Sequence, residues 1–104
     1  MTFHFYCDPG HGWLKVPKAQ LTKLAIAHKI SRCSYQTEKY AYLEEDCDAN
    51  LFLQTLEKTG QPYTITEHNS NSDSHIRRYP SYEATEATEA TEATEATEAT
   101  PCEP

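Results

Sequence analysis

The sequence has no apolar run approaching the ~20 residues needed to cross a bilayer. It has no basic segment followed by an apolar stretch at its start, so neither a membrane span nor a secretory signal is expected. It has no Ser-His-Asp, Cys-His, P-loop, GxGxxG or HExxH pattern, which removes the common signatures of nucleophilic, nucleotide and zinc chemistry. Cys7, Cys33, Cys47 and Cys102 show no C-x-x-C spacing. Reduced, mostly buried thiols in a cytoplasmic protein are therefore expected, ahead of a zinc site or a disulfide pair.

After Tyr82 there is no aromatic or large aliphatic residue, and the chain repeats Glu-Ala-Thr almost to its end. Such a segment cannot bury enough apolar area to offset the entropy of ordering it. A period of three does not track 3.6 residues per turn, so no partner helix is encoded. The expected organisation is an α+β domain over residues 1–82 and a disordered tail over 83–104. The tail also owns the charge. Sixteen acids face nine bases in the whole chain, for a net charge of −7, but seven of the acids lie in 83–104. The domain is left with nine of each and is formally neutral, so the acidity says nothing about nucleic acid or its mimicry.

Within the domain, Phe3, Phe5 and Cys7 alternate with His4 and Tyr6, as in a half-buried strand. Asp8-Pro9-Gly10-His11 suits a type II turn, and Trp13 to Val16 reads as the returning strand. Gly12 marks either a bulge or a close approach to the backbone. Pro17 fits the first position of a helix. Leu21, Leu24, Ala25 and His28 form one helical stripe, with His28 as a partly buried packing residue. Cys33 to Gln36 and Tyr40 to Glu44 make a second hairpin around Thr37-Glu38-Lys39. Asp46 or Asp48 would cap a second helix with Ala49, Phe52, Leu53 and Leu56 inward. Gly60 and Pro62 would end it. Tyr63 to Thr66 forms a last short strand, Asn69 to Asp73 a loop, and His75 to Tyr79 closes the domain. The expected fold is a small antiparallel sheet in ββα-ββα-β order with two helices on one face. Phe5, Leu14, Leu21, Leu24, Leu43, Phe52, Leu53, Leu56 and Ile65 are the expected core.

Three clusters could carry chemistry. Glu44-Glu45-Asp46-Cys47-Asp48 concentrates carboxylates, suited to a hard cation, to acid–base work, or simply to the start of a helix. His11-Gly12-Trp13 at a hairpin tip could be a recognition surface or a turn with a core tryptophan. Arg77-Arg78-Tyr79, with Arg32 and Tyr35 upstream, could grip phosphate or stack on bases. In a neutral domain the arginines more readily pair with the Glu44–Asp48 acids, and Arg77 is expected on Glu44 or Asp46.

Taken together, the segments His11-Gly12-Trp13-Leu14-Lys15-Val16, Ile30-Ser31 and Ser34-Tyr35, Tyr42-Leu43-Glu44-Glu45-Asp46-Cys47-Asp48 and Ser74-His75-Ile76-Arg77-Arg78-Tyr79 resemble a family of small uncharacterised proteins encoded by phages, prophages and plasmids. The resemblance covers roughly residues 4–82 and implies no activity. It implies a mobile-element accessory protein in the cytoplasm of a bacterial host. The candidate binding residues are His11, Trp13, Tyr35, Tyr42, Glu44, Asp46, Arg77 and Tyr79. The expected function is non-catalytic binding of a host or phage macromolecule, most simply a protein, with no cofactor, no metal and no membrane. The alternatives are a small metal-binding or hydrolytic enzyme using His11 with Glu44 and Asp46, and a nucleic-acid module using Arg32, Arg77 and Arg78.

Overall fold

A computed structural model describes residues 1–84 of the chain. Its elements are β1 (Thr2–Cys7), β2 (Gly12–Pro17), α1 (Lys18–Lys23), a 3-10 turn at Ala27–Lys29, β3 (Tyr35–Gln36), β4 (Tyr40–Glu44), α2 (Ala49–Lys58), β5 (Thr64–Asn69) and a 3-10 turn at His75–Arg78. The expected ββα-ββα-β order and α+β class are observed. Apart from Glu83 and Ala84, the repeat expected to be disordered lies outside the described residues. No helix among the described residues is long and apolar enough to cross a membrane.

The sheet runs β3-β4-β2-β1-β5. It is mixed rather than antiparallel, because β5 lies parallel to β1. The cause is the crossover: α2 carries the chain back over the sheet, so β5 enters in the direction of β4, and β4 runs parallel to β1 through the antiparallel β2. The registers Phe5↔Leu14 and Leu14↔Leu43 place Phe3, Phe5, Leu14, Val16, Ala41 and Leu43 on one face. Leu21, Ile26, Ile30, Phe52 and Leu56 close over them, and Tyr82 seals the end with its hydroxyl donating to Ala27 O at 2.8 Å.

Several local expectations are corrected. Ile65 is not core: it is 38 % exposed on the edge strand, beside a groove between α2 and β5 that Phe5 and Leu53 also line. Phe5, Leu24 and Leu53 are partly rather than fully buried. α1 ends early, because Ala25 takes the left-handed conformation at φ 62°. Ile26 N–H then donates to Leu21 O and Ala25 N–H to Thr22 O, a Schellman closure with alanine where glycine is usual. His28 consequently leaves the stripe and is exposed. Gly10 lacks the positive φ that a type II turn demands; Gly60, at 78°, is the one glycine that has it among the described residues. Gly12 is a close approach, since a Cβ there would sit 2.5 Å from Phe5 Cζ. Cys33 and Cys47 are exposed, not buried.

Candidate functional site

The opposite face of the sheet carries Tyr6, Trp13, Tyr35, Tyr42 and Glu44. It has its own small core of Trp13, Tyr42 and Ile76, with Tyr6, Tyr35 and Tyr79 packed around it. The cover is the His75–Arg78 turn. Burial of Ile76 against two aromatics brings that turn down and sets Arg77 beside the β1–β2 hairpin.

Asp8 is the anchor of that contact, and its carboxylate is fully buried. Arg77 grips it with two nitrogens, Nε to Oδ2 at 2.6 Å and Nη2 to Oδ1 at 2.9 Å. The N–H groups of Gly10, His11 and Ser74 also donate to it, at 3.0, 3.0 and 2.8 Å. The hairpin tip is therefore built on a side chain that accepts from its own turn, the known habit of Asp at such positions. The Arg77 guanidinium first, and then the backbone donors, hold Asp8 well below the usual carboxylate range against the opposing effect of burial. Arg77, expected on Glu44 or Asp46, takes Asp8 instead. Its guanidinium carbon also lies 5.4 Å from the Trp13 ring centroid.

Glu44 takes His11. Oε2 lies 2.7 Å from His11 Nδ1, with the carboxylate side chain 11 % exposed and the imidazole 48 % exposed. A carboxylate accepts, so the imidazole proton belongs on Nδ1, and Nε2 is the acceptor of a neutral ring. The other Glu44 oxygen receives the Asp46 N–H at 3.2 Å.

The third buried acid is Asp48. It heads α2 but makes no side-chain cap there. Its Oδ2 instead accepts from Ser31 N, Ser31 Oγ and Ser34 Oγ at 3.0, 2.9 and 2.6 Å. Ser34 Oγ in turn accepts from Glu44 N at 3.0 Å. This chain of bonds fixes the loop before β3 against the end of β4.

Between these anchors opens a cleft of ≈ 320 Å³ lined by His11, Trp13, Cys33, Tyr35, Glu44 and Arg77. Five of the eight candidate residues thus share one cavity. Trp13 is its floor, 1 % exposed, with a buried Nε1 that has no hydrogen-bond partner. Tyr42 and Tyr79 pack behind it, ring centroids 5.1 Å apart, and do not line the cleft. Burial, followed by its contacts with Tyr79, pushes the Tyr42 hydroxyl up to about 12. Asp46 is exposed and does not line the cleft, so it does not join His11. Of the other arginines, Arg32 pairs with Glu83 at 2.9 Å on the surface and Arg78 is exposed. Among the described residues no group of three His, Cys, Asp or Glu is placed to hold a metal ion. Sequence reasoning missed Cys33 in the cleft and Asp8 as its anchor. An Asp ahead of Pro-Gly is a legible signal for a carboxylate that binds its own turn; nothing in the local pattern marks Cys33.

No protein-family model, no curated protein and no solved structure matches the chain.

Proposed function

We propose that this protein is an accessory factor of a phage or related mobile element. In this reading it acts inside its bacterial host by binding a macromolecule, most simply a protein, through the His11–Arg77 cleft. The observation that carries the proposal is how the polar groups of the cleft are held. His11 is oriented by a carboxylate that is itself largely buried, and Arg77 by one that is wholly buried. Side chains fixed before contact lose little entropy on binding, which is how small surfaces reach useful affinity. His11 Nε2 and the remaining Arg77 nitrogen are the polar groups left for a ligand. The aromatic walls suit a protruding side chain better than an extended backbone.

A second reading is acid–base catalysis. The observation in its favour is the 2.7 Å His11–Glu44 pair, the arrangement by which a carboxylate orients an imidazole for proton transfer. The nucleic-acid reading is weaker, because Arg32 and Arg77 already face acidic partners.

Affinity capture from the host, with the tagged full chain and with a Tyr35→Ala variant side by side, tests the proposal. A partner retained by the first and lost by the second, with both melting alike, supports it. A partner retained equally by both places the interaction elsewhere. Turnover of a phosphoester or acyl substrate that disappears in His11→Gln would establish the catalytic reading instead.

A further inference from the structure

The sheet has two edges, and within residues 1–84 the chain closes one of them. β3 is two residues long, and the returning chain lies along it. Gln36 N–H donates to Pro80 O at 2.9 Å, Tyr82 N–H donates to Ser34 O at 2.8 Å, and Tyr35 bridges Ser81. β5 is the opposite edge, six residues long and exposed throughout. Thr64 N–H donates to Met1 O and Ser70 N–H to Cys7 O, so the even-numbered residues of β5 bond inward to β1. The N–H and C=O groups of Ile65, Glu67 and Asn69 therefore point outward, and among the described residues they have no partner. Thr64–Asn69 contains neither lysine nor proline, the residues that commonly guard an open edge.

The side chains beside this edge narrow what it fits. The register Phe3↔Ile65 and Phe5↔Glu67 turns Ile65 and Glu67 to the face that α2 covers. There they border a groove of ≈ 290 Å³ with Phe5, Leu14, Ala49 and Leu53. Glu45 lines the same groove, and neither it nor Glu67 has a cation partner among the described residues. We propose that β5 is a strand-addition site for an extended segment of another protein that carries an apolar and a basic side chain two positions apart. The main chain of that segment bonds to the outward groups of Ile65, Glu67 and Asn69. Side chains two apart share one face of a strand, so both point to the α2 side. The apolar one rests against Ile65 at the mouth of the groove, and the basic one meets Glu67 in the field of Glu45. A second copy of this chain would bring another glutamate to the place where a cation fits. The site is separate from the His11–Arg77 cleft and does not depend on what the cleft binds.

The test uses the isotope-labelled full chain, titrated with acetylated six-residue peptides that carry Leu and Lys two positions apart among threonines, in both orders. The amide signals of Ile65, Glu67 and Asn69 should shift and exchange more slowly with solvent, while those of His11 and Arg77 stay in place. Glu in place of the peptide Lys should weaken binding about tenfold, and Glu67→Lys, an exposed change checked by its melting curve, should invert that preference. Peptides N-methylated on alternate residues, so that the edge-facing donors are lost, should not bind. Absence of shifts with both peptide orders would overturn the proposal, as would equal binding of the Lys and Glu peptides or binding that survives N-methylation. Slow exchange of the same three amides without peptide, together with a doubled mass in light scattering, would give the edge to a second copy and overturn it as well.

Discussion

Asp8 and Arg77, sixty-nine positions apart, form a bidentate ion pair in which the carboxylate is wholly buried and accepts three backbone N–H bonds as well. The pair ties the first hairpin to the last turn of the described chain. A buried carboxylate stripped of its cation is costly in a way a surface pair is not. Asp8 is held below its ordinary pKa, so its contribution to stability is present above about pH 4, the unfolded value, and is lost as pH falls through the lower folded value. Thermal midpoints measured from pH 7 to pH 2 should fall on the acid side of pH 4. Asp8→Asn should melt lower at pH 7 and show a flatter acid limb. An acid limb equally steep in that variant would mean that other carboxylates govern acid unfolding.

Ser34 occupies the centre of the second network. Its hydroxyl donates to Asp48 and accepts from Glu44 N, and it has no access to water. Ser34→Ala leaves one buried donor and one buried acceptor short of a partner, and should cost about 1–3 kcal/mol in urea unfolding. Because Glu44 N is the end of β4, the same change should speed amide exchange at Glu44 and at Cys33. Unaltered exchange there would detach Ser34 from the positioning of the cleft.

At Ala25 the structure accepts local strain. A left-handed alanine closes α1, and glycine would adopt that conformation freely. Ala25→Gly should raise the urea midpoint by an amount equivalent to about 0.5–1 kcal/mol, with the denaturant slope unchanged. A loss of stability would mean that the alanine methyl contributes more by packing than its backbone costs.

Tyr42 supplies an alkaline counterpart. Its hydroxyl is raised to about 12 by burial and by Tyr79. The stability it contributes is complete below about pH 10, the unfolded value, and is lost as pH rises through the folded value. Urea titrations across this window should show a shallower decline for Tyr42→Phe than for the wild type. Parallel curves would assign the alkaline loss to other tyrosines.

Much of this architecture was legible in the residues, and the departures have physical causes. Alternation in Phe3–Cys7 and the Phe52–Leu56 stripe mark elements that bury one face, so they read correctly. The direction of β5 depends on how a helix crosses a sheet, which no local pattern records. Ile65 carries a strand former's signal but lies at an edge, where nothing covers it. Ala25 ends a helix that its neighbours' spacing would prolong. The convergence of His11, Glu44 and Arg77 was approachable through their chemistry, yet the pairing of acids to cations was not. Three buried acids compete for few donors, and the outcome depends on the hairpin geometry that gives Asp8 to Arg77 and Glu44 to His11.

The central claim is that the cleft, and not the scaffold beneath it, carries the function. The most direct measurement is the affinity of the purified captured partner for the wild type, for His11→Ala and for Lys29→Ala, an exposed lysine that does not line the cleft, with melting curves for all three. His11 is half exposed, so its removal should shift the midpoint little while weakening binding by about tenfold or more, as loss of a central contact does. Lys29→Ala should bind as the wild type does. Equal affinity across the three proteins, or a loss in His11→Ala that tracks a lowered melting midpoint, would contradict the account.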